Sequence, residues 1–326
     1  MHDLSFVIPI RVDTPDRLEN CETILRFLLK HFPEAEIQLI EEDTQTKTAS
    51  LRQSFPTVVW HFKFNDKHFS RGAALNTGFL RSTRRCVCAY DTDILLDPSA
   101  VRKAVSLIRS GRWSIVIPFN LIFVELSGER RKSVIESLDI GGLSGIAKLS
   151  DVPKHPEIAA RVLSGAIMLC DRDIAVMEGG YNRKMVSYGW EDIEFFKRFE
   201  KLGYFSFMLS NFNLIHLDHR RGPDSRINEM YEINRAEFEK IMKMSKAELR
   251  RYAAEELQIE PGVDLDRRRR IQKRQLLRNW LTLRPVVHAM NKAATIYRVR
   301  GPAVIVDSLR RKSQSNKQSA VVTNSR

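Results

Sequence analysis

Apolar runs that alternate with helical segments restrict the fold of this sequence more than any other feature. The runs "LSFVIPI", "IQLI" and "CVCAY" are apolar at successive positions, which is typical of strands buried on both faces of a parallel sheet. Helices are predicted after the Thr14 corner, at "SRGAALNTGFL" and after Asp97. This order predicts an α/β fold with a doubly wound, mostly parallel sheet flanked by helices.

The rest of the chain suggests one large domain with an appendage. Further strands are predicted around residues 58–64, at "WSIVIPF" and at "LSGAIMLCDRD", with irregular polar sequence between the last two up to Pro156. Residues 227–257 are predicted to be helical, and "IEPGVD" is predicted to be a linker. We expect a catalytic domain over residues 1–258, a basic helical extension over residues 259–310 and a disordered polar tail over residues 311–326.

Polar side chains collect where three of the predicted strands end. Arg11 and Asp13 follow the first strand, residues 41–43 are the acidic end of the second, and Asp91 and Asp93 follow "CVCAY". Ligands in doubly wound sheets bind beyond the carboxyl ends of the strands. We therefore expect these three clusters to converge on one binding site.

Positive charge is concentrated near the end of the chain. The formal net charge is +13, and the densest basic run, "DRRRRIQKRQLLRNWLTLR", starts at Asp266. The first two thirds carry mixed charges, so nucleic acid is not the expected partner. In residues 267–287, which begin at Arg267, arginines alternate with apolar residues such as Leu276 and Leu277. That mixture suits contact with an anionic membrane surface, or packing on the protein itself.

The sequence also indicates the compartment. No stretch is long and apolar enough to cross a bilayer, and "MHDLSFVIPIRVDT" reaches charged residues too soon for a secretion signal. The 4 cysteines form no CxxC pair and are expected to be reduced core thiols. We expect a cytoplasmic protein, peripheral on the inner face of the plasma membrane if the basic segment binds lipid. The oligomeric state is left open.

Two motifs contain residues that bind metals in other proteins. In "AYDTDILLDP", Asp91 and Asp93 lie two positions apart at a strand end, where they can share a cation that bridges nucleotide phosphates. An Asx-turn or a helix cap would give the same pattern. In "NLIHLDHRRGPDS", His216 and His219 lie three apart and can reach one metal. Imidazoles together with carboxylates favour Mn²⁺, with Mg²⁺ as the alternative.

Arg71 immediately precedes a Gly-Ala-Ala helix start in "HFSRGAALNTGFL". A guanidinium next to free backbone N–H groups is a combination that holds a diphosphate. Close packing of a helix with small residues on the sheet explains the same glycine and alanines. The two interpretations are compatible.

Five segments in this order resemble the glycosyltransferases of the GT-A (Rossmann-like) fold: "IPIRVDTPDRLEN", "FSRGAALNTGF", "YDTDILLDP", "GAIMLCDRDIAVMEGGYNRKMVSYGWEDIEFFKR" and "IHLDH". The sequence is most similar to the beta-galactosyltransferases, with the chondroitin polymerases and the polypeptide N-acetylgalactosaminyltransferases as relatives. The resemblance covers about residues 4–242. It implies a metal-dependent enzyme that uses a UDP-sugar as donor and a glycan as acceptor.

The resemblance also implies roles for individual residues. The donor and nucleotide would be bound by Pro9, Arg11, Asp13, Glu42, Asp43, Arg71, Asn76, Asp91, Gly179 and Gly180. The metal would be bound by Asp91, Asp93, His216 and His219. The galactosyltransferases use a Met-x-x-His pair where this sequence has histidine first, which leaves open whether one or both histidines bind.

The segment "VSYGWEDIEFFKR" resembles the acceptor wall of the galactosyltransferases. Tyr188, Trp190 and Glu191 match its acceptor-binding positions, and Asp192 matches the catalytic base. An indole suits the flat apolar face of a sugar, and carboxylates suit its hydroxyl groups. Relatives that retain the anomeric configuration have Asn at the position of Asp192, so the aspartate favours inversion.

We therefore expect a metal-dependent inverting glycosyltransferase that moves a galactose, N-acetylgalactosamine or glucuronic acid type of sugar from UDP to a saccharide or lipid-linked saccharide, in polysaccharide biosynthesis. One alternative is a retaining enzyme similar to the N-acetylgalactosaminyltransferases. A sugar nucleotidyltransferase is another, but it would need a glycine-rich loop after the first strand, and "PIRVDTPDR" has no glycine. The last is a non-catalytic binder of nucleic acid or membrane built around the basic segment.

Overall fold

The structure, a computed structural model, describes residues 1–257 and 265–280. Within these ranges the strands are β1 (Leu4–Ile10), β2 (Glu36–Asp43), β3 (Val59–Phe64), β4 (Cys86–Tyr90), β5 (Ile94–Leu95), β6 (Ile115–Ile117), β7 (Ile122–Leu126), β8 (Ile158–Val162), β9 (Ile167–Asp171), β10 (Ser206–Met208) and β11 (Leu214–Leu217). The helices are α1 (Pro15–His31), α2 (Ala49–Ser54), α3 (Arg71–Arg81), α4 (Pro98–Arg109), α5 (Gly128–Ser137), α6 (Arg172–Met177), α7 (Glu191–Leu202), α8 (Glu229–Lys243), α9 (Lys246–Glu255) and α10 (Leu265–Trp280).

Seven strands form the main sheet, in the order β10-β6-β9-β4-β1-β2-β3. β9 runs antiparallel to both of its neighbours, and the other adjacent pairs are parallel. The predicted α/β fold with a mostly parallel sheet is therefore confirmed. The carboxyl ends of β1, β2 and β4 lie at the same edge, where the three polar clusters were expected to meet.

Helices cover both faces of the main sheet. Side chains alternate along β1, so Phe6 joins one apolar cluster with α1 and α4, whereas Val7 joins a second with α3, α6 and α7. At Gly78, a Cβ atom would lie 2.1 Å from Val7 Cγ1, so this glycine lets α3 pack closely on the sheet. Gly72, at the start of α3, instead faces Tyr181. The cysteines are all free and buried, as predicted.

The prediction of irregular structure before Pro156 is wrong. That region contains β7 and α5, and β8 follows it; a second sheet has the order β5-β11-β7-β8. β7 is short and pairs with β11, which lies far along the chain. α5 buries only Val134, so its sequence has almost no apolar periodicity. The local pattern is weak in α5, whereas "IFVEL" in β7 is an apolar run that is typical of a buried strand.

α10 begins within the predicted basic extension. It packs on the rest of the protein through Arg268, whose guanidinium pairs with the buried carboxylate of Glu178. The remainder of the segment 267–287 and the predicted tail 311–326 lie outside the described residues. Within the two described ranges, no helix is both long enough and apolar enough to span a bilayer.

Candidate active site

A cavity of about 420 Å³ lies at the carboxyl edge of the main sheet. Most of the residues selected from the sequence line it: Pro9, Arg11, Asp13, Arg71, Asp91, Asp93, Tyr188, Trp190, Glu191, Asp192, His216 and His219. The fold thus brings segments from both ends of the described domain to a single site.

Three of the predicted metal ligands form a compact group. Asp93, His216 and His219 each offer a ligand atom, and the three atoms lie within 4.8 Å of one another. His219 Nε2 lies 2.9 Å from Asp93 Oδ2, and His216 Nε2 lies 3.8 Å from the same oxygen. All three residues are buried. One carboxylate and two imidazoles fit a divalent cation such as Mn²⁺.

Pairing between β5 and β11 builds this group. β5 starts directly after Asp93 and runs antiparallel to β11, which places His216 opposite Ile94. The Leu217 N–H donates to the Asp93 carbonyl at 2.8 Å. The two strands lie far apart in the chain, and their pairing brings Asp93 together with the histidines, as the family resemblance implied.

Asp93 and His219 stabilise each other's charged forms. Burial disfavours charge on both, but the hydrogen bond and the attraction between them outweigh it. The pKa of Asp93 is therefore held well below its usual range, and the pKa of His219 is raised. A metal ion at this group would have to displace the proton from His219.

Two residues beside this group were missed in the sequence. Glu125 on β7 is paired in register with His216, and its Oε2 lies 3.2 Å from His216 Nδ1, although that nitrogen is not aligned for a hydrogen bond. Contact with His216 lowers the pKa of Glu125 to about 2. Arg17 Nη1 lies 3.7 Å from Asp93 Oδ2. A cation in the first turn of α1 opposes the helix dipole, which was a detectable signal for Arg17. For Glu125 the signal was its place as the one acid in the apolar run "IFVEL", which was not predicted to be a strand.

Asp91 is oriented toward Arg71, not toward the histidines. Arg71 Nε lies 2.7 Å from Asp91 Oδ1, and the compact group of three ligand atoms does not include Asp91. Burial raises the pKa of Asp91 to about 6, despite the opposing effect of Arg71. The two acids of the Asp-x-Asp motif therefore have different partners in this structure.

Asp192 is held at the cavity wall by two donors. Arg71 Nη1 and Tyr181 Oη donate to Asp192 Oδ1 at 2.9 and 3.0 Å. Tyr181 is itself positioned by Asn76, whose side-chain amide donates to the Tyr181 carbonyl and accepts from its N–H. Burial and the Asp192 charge raise the pKa of Tyr181, which keeps its hydroxyl protonated as a donor. Tyr181 was missed in the sequence because nothing local links it to Asp192.

The residues before Asp192 form an aromatic wall. Trp190 has a φ of 75°, a left-handed conformation that is unfavourable for a bulky side chain and is often found at functional sites. Its ring packs on Tyr231 and Phe238, and Tyr188 stacks on Tyr231. Burial and the Asp192 charge raise the pKa of Glu191 to about 7. Tyr231, which also lines the cavity, was not selected from the sequence.

The predicted nucleotide-side residues divide into two sets. Pro9, Arg11 and Asp13 line the cavity, and Arg11 donates to the carbonyls of residues 42, 65 and 67. The second set does not line it: Glu42, Asp43, Asn76, Gly179 and Gly180.

Each member of the second set has partners within the protein. Glu42 accepts from Lys63 and from the Ser70 N–H, and Asp43 accepts from Lys47. Gly179 packs against Leu257, and the Gly180 carbonyl accepts from Arg198. Together with the contacts of Asn76 described above, all five residues are therefore engaged by other parts of the protein.

The fold resembles a solved structure of GalNAc-T7 with UDP, GalNAc and Mn²⁺, with a TM-score of 0.52 and 14% sequence identity. The match covers 84% of this chain, which spans only 54% of that structure. A scan of protein-family profiles and a search of curated protein sequences return no match.

Two weaker resemblances are to the mannosyltransferase PcManGT from Pyrobaculum calidifontis, solved with GDP-Man and Mn²⁺, and to Drosophila beta1,4-galactosyltransferase 7 with xylobiose. The first has a TM-score of 0.48 and 13% identity over 91% of this chain and 81% of the other. The second has a TM-score of 0.40 and 16% identity over 72% of this chain and 80% of the other. Both scores are too low to support an inference. The resemblance to GalNAc-T7 confirms that the chain has the GT-A fold predicted from its sequence.

Proposed function

We propose that this chain is a metal-dependent inverting glycosyltransferase that transfers a sugar from a UDP-sugar to a saccharide or lipid-linked saccharide. The observation that carries the proposal is that one cavity is lined both by the Asp93, His216 and His219 group and by Asp192. A galactose, N-acetylgalactosamine or glucuronic acid type of sugar is proposed as the group transferred. The GT-A fold, which GalNAc-T7 shares, supports the class of reaction.

Asp192 is suited to accept the proton of the acceptor hydroxyl. Its Oδ1 is occupied by Arg71 and Tyr181, whereas Oδ2 has no hydrogen-bond partner in the described part of the chain. As the acceptor oxygen bonds to the anomeric carbon, its proton passes to Asp192 and the bond from that carbon to the diphosphate oxygen breaks. Attack opposite the leaving group inverts the anomeric centre.

Cationic groups would stabilise the leaving diphosphate. Bound to Asp93, His216 and His219, Mn²⁺ or Mg²⁺ would supply positive charge to the departing nucleotide. Arg17 and Arg71 add guanidinium groups at the same cavity. Arg71 Nη2 is buried without a partner in the described residues. An oxygen atom of the bound UDP-sugar could accept its hydrogen bond. Because the diphosphate leaves as an anion, no second carboxylic acid is required.

The aromatic wall is the proposed acceptor site. Trp190 and Tyr188 offer apolar surface to a sugar ring, and Tyr231 extends that surface. Glu191 would accept hydrogen bonds from acceptor hydroxyls. Its raised pKa is consistent with a carboxyl group removed from water beside another acid.

Pro9, Arg11 and Asp13 are the proposed nucleotide contacts, with Asp91 acting on the donor through Arg71. Because Glu42, Asp43, Asn76, Gly179 and Gly180 do not line the cavity, any role of these residues in donor binding would be indirect. For Asn76 the contact with Tyr181 suggests that it positions the catalytic carboxylate.

The proposal includes a cellular setting. We assign residues 1–258 to the catalytic domain and place it in the cytoplasm, in a polysaccharide or glycan biosynthetic reaction. Within the basic extension 259–310, the segment 267–287 would hold it on the inner face of the plasma membrane. Peripheral contact of this kind needs an amphipathic surface and not a spanning segment.

A donor screen tests the function directly. Purified full-length protein with Mn²⁺ is incubated with a panel of UDP-sugars, and thermal shift and donor hydrolysis are measured. We expect one UDP-sugar to raise the melting temperature and to be hydrolysed slowly, both only with metal. NMR of the glycoside product then assigns inversion or retention. Failure of every UDP-sugar to bind would contradict the proposal.

A further inference from the structure

α10 buries three polar side chains and exposes two leucines. Arg268, Gln275 and Asn279 are at most 4% exposed. Their contacts with the catalytic domain are polar: Arg268 with Glu178 at 2.6 and 2.7 Å, Gln275 with Ser114 at 2.7 Å, and Asn279 with the Arg112 carbonyl at 3.1 Å. Ile271 is partly buried against the second apolar cluster, but the fully buried side chains are polar, unlike those of a helix that packs through an apolar stripe. The anchoring contacts orient the helix, so its other face is presented to solvent.

The outer face of α10 combines cations with two leucines. Leu276 and Leu277 are 57% and 58% exposed, which is unusual for adjacent large apolar residues. At 100° per residue, the exposed positions between Asp266 and Arg278 fall within an arc of about 200°. We define this outer face as Arg269, Arg270, Lys273, Arg274, Leu276 and Leu277.

The charge of α10 is strongly unbalanced. The helix has seven cationic residues and one acidic residue, Asp266. Arg267 and Arg269 are paired with Asp173 and Asp266, in the first turns. Lys273 and Arg274, one helical turn before Leu276 and Leu277, have no acidic group within 4.0 Å in the described ranges. The leucines therefore lie next to unneutralised positive charge.

We propose that the outer face of α10 docks on an anionic phospholipid surface. Lipid phosphates would pair with Lys273 and Arg274, while Leu276 and Leu277 enter the boundary between headgroups and acyl chains. The outer face of a second copy of the protein is disfavoured as the docking partner, because two such cationic helices would repel each other. A nucleic acid would leave the leucines without a partner. A protein groove would select apolar anchors spaced three or four residues apart, not an adjacent pair.

The position of α10 is compatible with activity on a membrane. Ser114, which contacts Gln275, immediately precedes β6, whereas the cavity lies beyond the carboxyl ends of β1 and β4. β6 runs in the same direction as β1 and β4, so α10 and the cavity lie at opposite edges of the main sheet. A lipid surface in contact with α10 therefore leaves the cavity open to donor and acceptor.

Vesicle sedimentation with the full chain tests this inference without any turnover. The vesicles contain phosphatidylcholine alone, or with about one third phosphatidylglycerol. We expect binding only to the anionic vesicles, with release as NaCl is raised from about 0.05 to about 0.5 M. Lys273→Glu/Arg274→Glu should weaken binding more than about tenfold, and Leu276→Ser/Leu277→Ser should weaken it by about tenfold at fixed salt.

The matched control is Arg130→Glu/Lys132→Glu, which reverses two exposed charges on α5 and should bind as the unmodified protein does. Unchanged melting temperatures, with the same shift by Mn²⁺, establish that each variant is folded. The proposal would be overturned if the protein bound neutral and anionic vesicles equally, or if both α10 variants bound anionic vesicles as the wild type does. It would also be overturned if the wild type bound no vesicles but formed a dimer that the leucine variant lost. None of these results depends on sugar transfer, so the proposed enzymatic function would fail or stand separately.

Discussion

Arg71 Nη1 lies 2.9 Å from Asp192 Oδ1, and the same guanidinium contacts Asp91 through Nε at 2.7 Å. One cation therefore links the strand that leads to the candidate metal site with the helix that carries the proposed base. The adjacent acid, Glu191, lies 3.9 Å from Arg71 Nη1, which is too far for a hydrogen bond. The guanidinium thus orients Asp192 and not its neighbour, and the position of Asp192 is set before any substrate binds.

Replacing the proposed base should abolish transfer but not donor binding. In Asp192→Asn, Arg71 and Tyr181 no longer donate to a charged carboxylate. No base then remains to accept the proton of the sugar hydroxyl that attacks. We expect kcat to fall by about 10²–10⁴-fold, with UDP affinity in the presence of Mn²⁺ changed little, as measured by calorimetry. Asp151→Asn, at an exposed position, is the control. Wild-type turnover in Asp192→Asn would exclude Asp192 as the base.

Gly165 should be required for the geometry of Asp192. Its φ is +105°, and a Cβ atom there would lie 2.4 Å from Asp192 Oδ2. Gly165→Ala would strain the backbone and displace the carboxylate, so we expect activity to fall at least about tenfold and stability to fall by about 1–3 kcal/mol. Gly142→Ala, where a Cβ would meet nothing within 4 Å, should leave both unchanged. Equal activities of the two variants would show that Asp192 tolerates the displacement.

Glu191 should make stability fall as pH rises. Its pKa is raised to about 7 from the ordinary 4.5, so between these values the folded state keeps a proton that the unfolded state has lost. Stability must decrease with pH across that window. Glu191→Gln removes the penalty, so it should match the wild type near pH 4.5 and melt about 5 °C higher above about pH 7. Glu129→Gln, at an exposed site, is the control; parallel pH profiles for wild type and Glu191→Gln would contradict the prediction.

Metal affinity should depend on the protonation of His219. Burial lowers the pKa of His219, but the hydrogen bond and attraction to Asp93 raise it by more. The pKa of His219 is therefore above the ordinary 6.5. Mn²⁺ competes with that proton, so affinity should increase with pH and level off only above about 6.5. Calorimetric titration over a pH series measures this. His219→Gln should lose the pH dependence together with most of the affinity, whereas His31→Gln should keep both; a flat wild-type profile would argue against a histidine ligand.

Glu125 should support the metal site without binding the metal. Its carboxylate lies beside His216 Nδ1, which favours the orientation that presents Nε2 to the ligand group. Glu125→Gln should weaken Mn²⁺ binding by about 10–100-fold. The effect should appear in direct Mn²⁺ titration as well as in activity, with the melting temperature of the metal-free protein little changed. If the Mn²⁺ affinity were unaltered, Glu125 would have no role in the metal site. Its role would then be the ion pair with Arg161, at 2.8 Å.

The sequence by itself determined most of the main sheet, the polar strand ends and twelve of the residues at the cavity. Continuous apolar runs identify buried strands, and strands that share a direction bring their carboxyl ends together, so Arg11, Asp13 and Asp93 could be assigned to one edge. Asp192 was located by its resemblance to a known motif. These features are encoded locally.

Tertiary structure alone decided which residues touch. Asp91 and Asp93 are two positions apart, yet one contacts Arg71 and the other His219. Glu125 reaches His216 only because β7 pairs with β11. The same holds for α10, whose sequence suggests an amphipath but whose buried face is polar. Contacts between distant segments depend on strand register and on the partners available for burial, and neither is present in local periodicity.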